Sequence, residues 1–213
     1  MSRRLPVYLV LDTSGSMSGE PIEAVKVGVE TLVSSLRRDP YALETAWLSV
    51  ITFDSTAKQI VSLTELAAFQ NPSIIANGNT SMGAGLSLLA KRIEAEVTKT
   101  TATEKGDWKP LVFLMTDGGP TDNWQTGLND LRKVKTGILV ACAAGPGADT
   151  TILKQITEAV VHLDTADSTT ISAFFKWVSS SISVGSQKVE SGQKEVAGLG
   201  ELPPPPPEVS FVV

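Results

Sequence analysis

Apolar residues along this chain follow two rhythms, and the switching between them predicts the fold class. Residues 7–11 form a continuous apolar run ending at Asp12, as expected of a central strand covered on both faces. Gly15 and Gly19 interrupt it, and Pro21 suits the first turn of a helix. Ile22, Val25, Val29, Leu32 and Leu36 then recur at helical spacing, up to a stop at Asp39-Pro40. Residues 46–53 and 58–63 read as two strands joined by a tight turn at Asp54-Ser55, and so as an antiparallel pair. A polar, glycine-punctuated loop over 77–83 leads into a helix with Leu86, Leu89, Ile93 and Val97 on one face. After a polar crossover at 98–108, expected to be mobile, comes a second apolar strand, 110–116, again ending at an aspartate, Asp117.

The remaining elements repeat the theme. Leu128 and Leu131 mark a short helix, 138–144 a buried strand stopped by Gly145-Pro146-Gly147, 149–156 a short helix and 160–163 an edge strand. Ile171, Phe174, Phe175, Val178 and Ile182 line the last helix. Strands alternating with helices predict an α/β fold: a doubly wound, mostly parallel six-stranded sheet with one antiparallel edge strand and helices on both faces. In such a sheet the carboxyl ends of the parallel strands share one edge, which brings Asp12 and Asp117 to the same side. The domain is expected to span residues 1–184. From Gly185 the period fades, and 203–207 is a run of five prolines, so 185–213 reads as a flexible proline-rich tail with a polyproline stretch. The closing Val-Ser-Phe-Val-Val is hydrophobic enough to add an edge strand or to engage a partner.

Composition narrows the function. A chain of 213 residues, 42% hydrophobic, can bury one sizeable core. A net charge of -5 argues against a broad grip on nucleic acid or on an acidic membrane, while leaving room for a local positive site. With one cysteine, Cys142, the chain has no intrachain disulfide and no cysteine-rich zinc site; its apolar surroundings make Cys142 a small core residue. The two arginines at the start precede an apolar stretch too short for a secretory signal, and no run approaches the roughly 18 apolar residues of a membrane helix. These features predict a soluble, cytoplasmic protein.

Asp12-Thr-Ser14-Gly-Ser16 is the informative motif. A carboxylate and two hydroxyls at alternate positions, directly after a buried strand, can converge if the loop curls at Gly15, and hard divalent cations prefer such oxygens. Thr80 offers a third hydroxyl from another loop, and Asp117 a second carboxylate. Singly, each has a plainer reading: the aspartates as helix caps or turn residues, the serines as turn hydroxyls, Thr80 as a cap. Convergence at one sheet edge is what the plainer readings leave unexplained.

With these residues in view, the sequence resembles the von Willebrand factor A-type (VWA) family. DTSGSM at residues 12–17 is similar to the DxSxS motif of that family's metal-ion-dependent adhesion site, Gly78-Asn-Thr80 to its threonine loop, and Thr116-Asp117-Gly118 to its last motif. Phe53-Asp54 looks like its second-strand ending, and the likeness runs over about 5–184. The resemblance implies that Asp12, Ser14 and Ser16 contact a metal. Thr80 and Asp117 would coordinate directly or through water, and an acidic side chain of a protein partner would complete the shell. Oxygen donors favour Mg²⁺, with Mn²⁺ or Ca²⁺ as alternatives. The opening LPVYLVLDTSGSMSGEPIEAV and the stretch LVFLMTDGGPTDNW look more specifically like bacterial tellurium-resistance TerY-type proteins. That implies a cytoplasmic tellurite- and stress-resistance system with kinase and phosphatase partners. Some relatives carry a C-terminal zinc segment, and this chain lacks its cysteines and histidines.

Enzyme readings fare worse. A phosphohydrolase of the haloacid dehalogenase type wants a second carboxylate two residues after the first, where this chain has Ser14. No GxxxxGK[ST] loop is present. The one histidine, His162, lies between Val161 and Leu163 on a short strand and reads as structural. The expectation is a non-enzymatic, metal-dependent protein-binding module. A metal-dependent phosphohydrolase and a structural scaffold with an incidental metal site are the alternatives.

Overall fold

A computed structural model describes residues 3–191 and 199–212. Its elements, in order, are β1 (Leu5–Asp12), α1 (Glu20–Leu36), α2 (Pro40–Thr45), β2 (Ala46–Phe53), β3 (Ala57–Glu65), α3 (Met82–Glu96), β4 (Leu111–Thr116), α4 (Trp124–Leu131), β5 (Leu139–Ala144), α5 (Thr150–Ile156), β6 (Ala159–Leu163), α6 (Ser168–Glu190) and β7 (Ser210–Phe211). The sheet order is β3-β2-β1-β4-β5-β6-β7. β1 pairs in parallel with β2 and β4, and β4, β5 and β6 continue in parallel; β3 and β7 are antiparallel edges. The expected α/β, doubly wound architecture is therefore present.

The apolar runs of the central strands conceal a period of two. Leu5, Val7, Leu9 and Leu11 enter the core beneath α1 and α6, whereas Tyr8 and Val10 enter the core beneath α3 and α4. β4 divides likewise, Leu111, Phe113 and Met115 on one face and Val112 and Leu114 on the other. Both faces are covered, so the few polar residues on these strands, such as Ser49 and Thr116, are hydrogen-bonded. The close crossing of α1 and α6 depends on Gly28: a Cβ there would lie inside the Phe175 ring.

The structure corrects the sequence reading at several points. Asp39-Pro40 ends α1 but also starts a helix, α2, because the Asp39 carboxylate accepts the N–H groups of Tyr41 (2.9 Å) and Ala42 (3.3 Å) and Pro40 stands in the first turn. The sheet has seven strands, not six, and an antiparallel strand at each edge. The seventh comes from the tail, where Phe211 and Ser210 pair with Val161 and His162. The last helix runs past Ile182 to Glu190, with Gly185, Ser186 and Val189 buried. Leu202 and Val209 join the α1–α6 core, and the Trp177 indole N–H donates to the Pro203 carbonyl at 2.8 Å. The polyproline stretch thus lies along α6, anchored by contacts that its low apolar content does not announce. The part of the expected flexible tail at 192–198 lies outside the described residues. The crossover after α3 is tied back by Arg4, which donates to Asp107 Oδ1 at 2.8 Å, while Asp107 Oδ2 accepts the Thr98 N–H at 2.7 Å.

Candidate metal centre

β1 and β4 are neighbours, and the order of the sheet reverses between them: β2 follows β1 on one side, β4 lies on the other. This switch point is where loops of a doubly wound sheet part and leave a crevice at the strands' carboxyl ends. Asp12 closes β1 and Asp117 follows β4, so the topology delivers one carboxylate to each side of the crevice.

The loop after Asp12 folds back onto it. Asp12 Oδ1 accepts the Ser14 N–H at 2.8 Å, which turns the chain and aims Ser14 toward the same space. The Ser14 and Ser16 hydroxyls lie 3.0 Å apart, and Ser16 Oγ donates to Asp117 Oδ1 at 2.7 Å. Four of the five expected residues thus form one connected string. Thr80 arrives from the loop before α3. Gly15 N–H donates to the Gly78 carbonyl and Thr121 N–H to the Thr80 carbonyl, each at 2.9 Å, so this loop is pinned to both others. The Thr80 hydroxyl lies about 3.9 Å from where a Cβ of Gly118 would stand, beside Asp117. Gly78 has φ of 74°, and a side chain there would run into Ser55, so only glycine lets the loop pass.

Burial sets the electrostatics. Asp12 is 1% exposed, Ser14 and Thr80 are buried, Asp117 is half-buried and Ser16 is exposed at the rim. Desolvation pushes the Asp12 carboxyl above its ordinary range; hydrogen bonds from Ser14 and Thr116 offset part of this, and the Asp117 charge adds to it. Asp117 is pushed up by burial too, with the Ser16 hydrogen bond opposing. Among the described ion pairs, neither carboxylate has a lysine or arginine partner. Two desolvated carboxylates that repel each other and meet only hydroxyl and amide donors form a site that a cation would relieve. The donor set, two carboxylates and three hydroxyls, suits a hard divalent ion. Among the described residues there is no cluster of three His, Cys, Asp or Glu that could hold a metal, so hydroxyls are essential to any such site.

Sequence reasoning assigned no role to Thr116, whose hydroxyl donates to Asp12 Oδ2 at 2.6 Å and orients the carboxylate from β4. It also missed Asp122, whose two oxygens accept the Gly83 and Ala84 N–H groups, each at 2.9 Å, and so cap α3 beside Thr80. Asp54 turns its carboxylate onto its own turn, accepting the Thr56 N–H at 2.9 Å, while its carbonyl holds Ser81. Cys142 is fully buried, as expected, and burial pushes its thiol up. His162 lies on β6, three strands from β1.

The von Willebrand factor type A domain profile matches residues 7–176. The uncharacterized protein sll0103 of Synechocystis sp. is 36% identical over 126 residues, covering 54% of this chain and 26% of that protein. Among solved structures, the pilus adhesin SpaC of Lactobacillus rhamnosus GG superposes with a TM-score of 0.67 at 16% identity, over 85% of this chain and 31% of the adhesin. A proximal thread matrix protein of the mussel byssus, described with a zinc-occupied adhesion motif, superposes with a TM-score of 0.57 at 22% identity, over 87% of this chain and 46% of that one. This chain therefore spans only about a quarter to a half of these relatives' lengths. Among the described residues no helix is long and apolar enough to cross a membrane.

Proposed function

Since the chain belongs to the von Willebrand factor type A domain family, we propose that it is a protein-binding module that works through a divalent metal held by Asp12, Ser14, Ser16, Thr80 and Asp117. The observation that carries this reading is the convergence of two uncompensated carboxylates and their hydroxyl string at the switch point of the sheet. Mg²⁺ is the preferred ion, because every donor is a hard oxygen, with Mn²⁺ or Ca²⁺ as alternatives.

Each residue has its own part. Asp12 is held in one orientation by the Ser14 amide and the Thr116 hydroxyl, so it meets a cation already aligned. Ser16 couples the first loop to Asp117. Thr80 is neutral, and its hydroxyl can approach or leave the ion at small electrostatic cost, which suits it to respond to a partner. When bound, the metal would offer an open coordination position at the rim, since five monodentate oxygens fill five of the six places of an octahedral ion and leave one for an anionic oxygen. A glutamate or aspartate of a protein partner is that oxygen's source in this reading. Nucleic acid and membrane are not partners in it, and turnover has no place: His162 lies away from the crevice and Ser14 stands where a second acid would be needed.

The TerY-like opening and β4 region support a finer assignment, a cytoplasmic place in a bacterial tellurite- and stress-resistance system with a kinase or phosphatase as partner. Capture from lysate with Mg²⁺ and with chelator tests the module. Metal-dependent capture that is lost when one acidic residue of the captured protein is neutralised is the expected result. Capture that survives chelation, or a partner on which no acidic residue matters, would sink the mechanism.

A further inference from the structure

At the opposite edge of the sheet, around the amino ends of the strands, a cavity of about 510 Å³ opens between the start of β1, the end of α3, the crossover 98–108 and the segment after α4. Arg3, Lys99, Lys109, Lys133 and Lys135 line it, together with Trp108. In a chain of net charge -5, five cationic side chains around one cavity are a marked local reversal. Two acids, Glu94 and Asp107, share the lining. Both oxygens of Asp107 are engaged by Arg4, and Oδ2 also takes the Thr98 amide; Glu94 reaches Lys99 only at 3.8 Å. Lys133 pairs with Asp130, outside the lining. Ile93, Val97 and Val134 supply an apolar wall. The Arg3 guanidinium stacks on the Trp108 ring at 3.8 Å.

We propose that this cavity is a binding site for an organic polyphosphate of nucleotide size, such as a nucleoside di- or triphosphate. The volume matches a small-molecule site, and the cationic rim matches several phosphate charges. The apolar wall and the stacked Arg3–Trp108 pair offer a flat body something to lie against. Binding here involves no phosphate-loop motif and no hydrolysis; the site stands apart from the metal centre, at the other end of the same strands.

The test is calorimetric titration of the full chain in chelator with ATP, inorganic triphosphate and adenosine, following Trp fluorescence in parallel. ATP should bind, triphosphate more weakly and adenosine not measurably. The double charge reversal Lys99→Glu, Lys135→Glu should weaken ATP by roughly tenfold or more. Asp12→Ala, which disarms the metal centre, should leave ATP binding unchanged. Absence of ATP binding up to about 1 mM, equal affinity for ATP and triphosphate, insensitivity to the charge reversals or loss of binding in Asp12→Ala would each overturn the proposal. Circular dichroism of each variant confirms that a loss is not unfolding.

Discussion

The two edges of the sheet treat charge in opposite ways. The loops at the carboxyl edge, over 12–20, 54–56, 117–123, 145–149 and 164–167, carry aspartates and a glutamate and no lysine or arginine. The amino edge collects Arg3, Arg4, Lys99, Lys109, Lys133 and Lys135. On the carboxyl side most acids have a structural use: Asp122, Asp149 and Asp167 accept amides at the starts of α3, α5 and α6. Asp12 and Asp117 differ, being desolvated and, among the described ion pairs, without a lysine or arginine partner. On the amino side Asp107, whose side chain is 6% exposed, is matched by Arg4. A charge that caps a helix or meets a counter-ion belongs to the fold. A desolvated pair of carboxylates left with hydroxyl and amide donors is the kind of arrangement that a cation would relieve.

Asp12→Ala should break the asymmetry most completely, abolishing specific Mg²⁺ and Mn²⁺ binding by calorimetry, a loss on the order of 100-fold or more, with the fold retained. Unchanged affinity would remove Asp12 from the centre. Next in size is deletion of the tail from Leu199 onward. Leu202 and Val209 then leave the core, which should cost about 2–4 kcal/mol and lower the thermal midpoint by several degrees, without touching metal affinity. An unchanged midpoint would mean that the tail contacts contribute nothing.

Arg4→Ala probes the amino edge. It strands the nearly buried Asp107 and loosens the crossover, so the midpoint should fall by the equivalent of about 1–3 kcal/mol while metal affinity holds. A change in metal affinity would mean that the two edges are coupled. Thr116→Val removes one donor from Asp12 and should weaken metal binding roughly tenfold, as loss of a ligand's orienting partner does. Equal affinity would show that Ser14 alone positions the carboxylate.

The smallest effect is one of sign. The folded-state pKa values of Asp12 and Asp117 lie above their unfolded values, so the metal-free fold takes up protons more readily than the unfolded chain. These two groups therefore destabilise the metal-free protein at neutral pH, and that penalty fades as pH falls through their raised folded values toward the ordinary carboxylate range. Metal-free Asp12→Asn should melt higher than the parent at pH 7, with the gap closing on acidification. With saturating Mg²⁺ at pH 7 the order should reverse, because the ion stabilises the folded parent and binds the variant poorly. A gap independent of pH would show that burial of Asp12 carries no charge penalty.

The candidate centre was unusually legible in sequence. Asp12, Ser14 and Ser16 lie within five residues, and their spacing alone suggests convergence if a strand ends just before them. Thr80 and Asp117 are distant in sequence; the shared carboxyl edge of the strands drew in Asp117, a polar glycine-punctuated loop offered Thr80, and the motif resemblance then joined both to the first three. Thr116 escaped because a threonine at the end of an apolar strand looks like any other; its use depends on β1 and β4 being adjacent. Arg3 and Arg4 read only as a faint leader signal, since Trp108 and Asp107 are more than a hundred residues away.

By itself the sequence determined the alternation of strands and helices, the two-sided burial of the central strands and the oxygen-rich loop after β1. Those properties follow from hydrophobic period and local turn chemistry, which act between neighbours in the chain. Tertiary structure alone decided which face each apolar residue enters, because a continuous apolar run does not reveal its own period of two. It also decided the start of α2 at Pro40, the docking of Leu202 and Val209 under α6, the seventh strand and the gathering of cations at the amino edge. Each of these rests on contacts between residues far apart in sequence, and their free energy exists only once the sheet has set the distances.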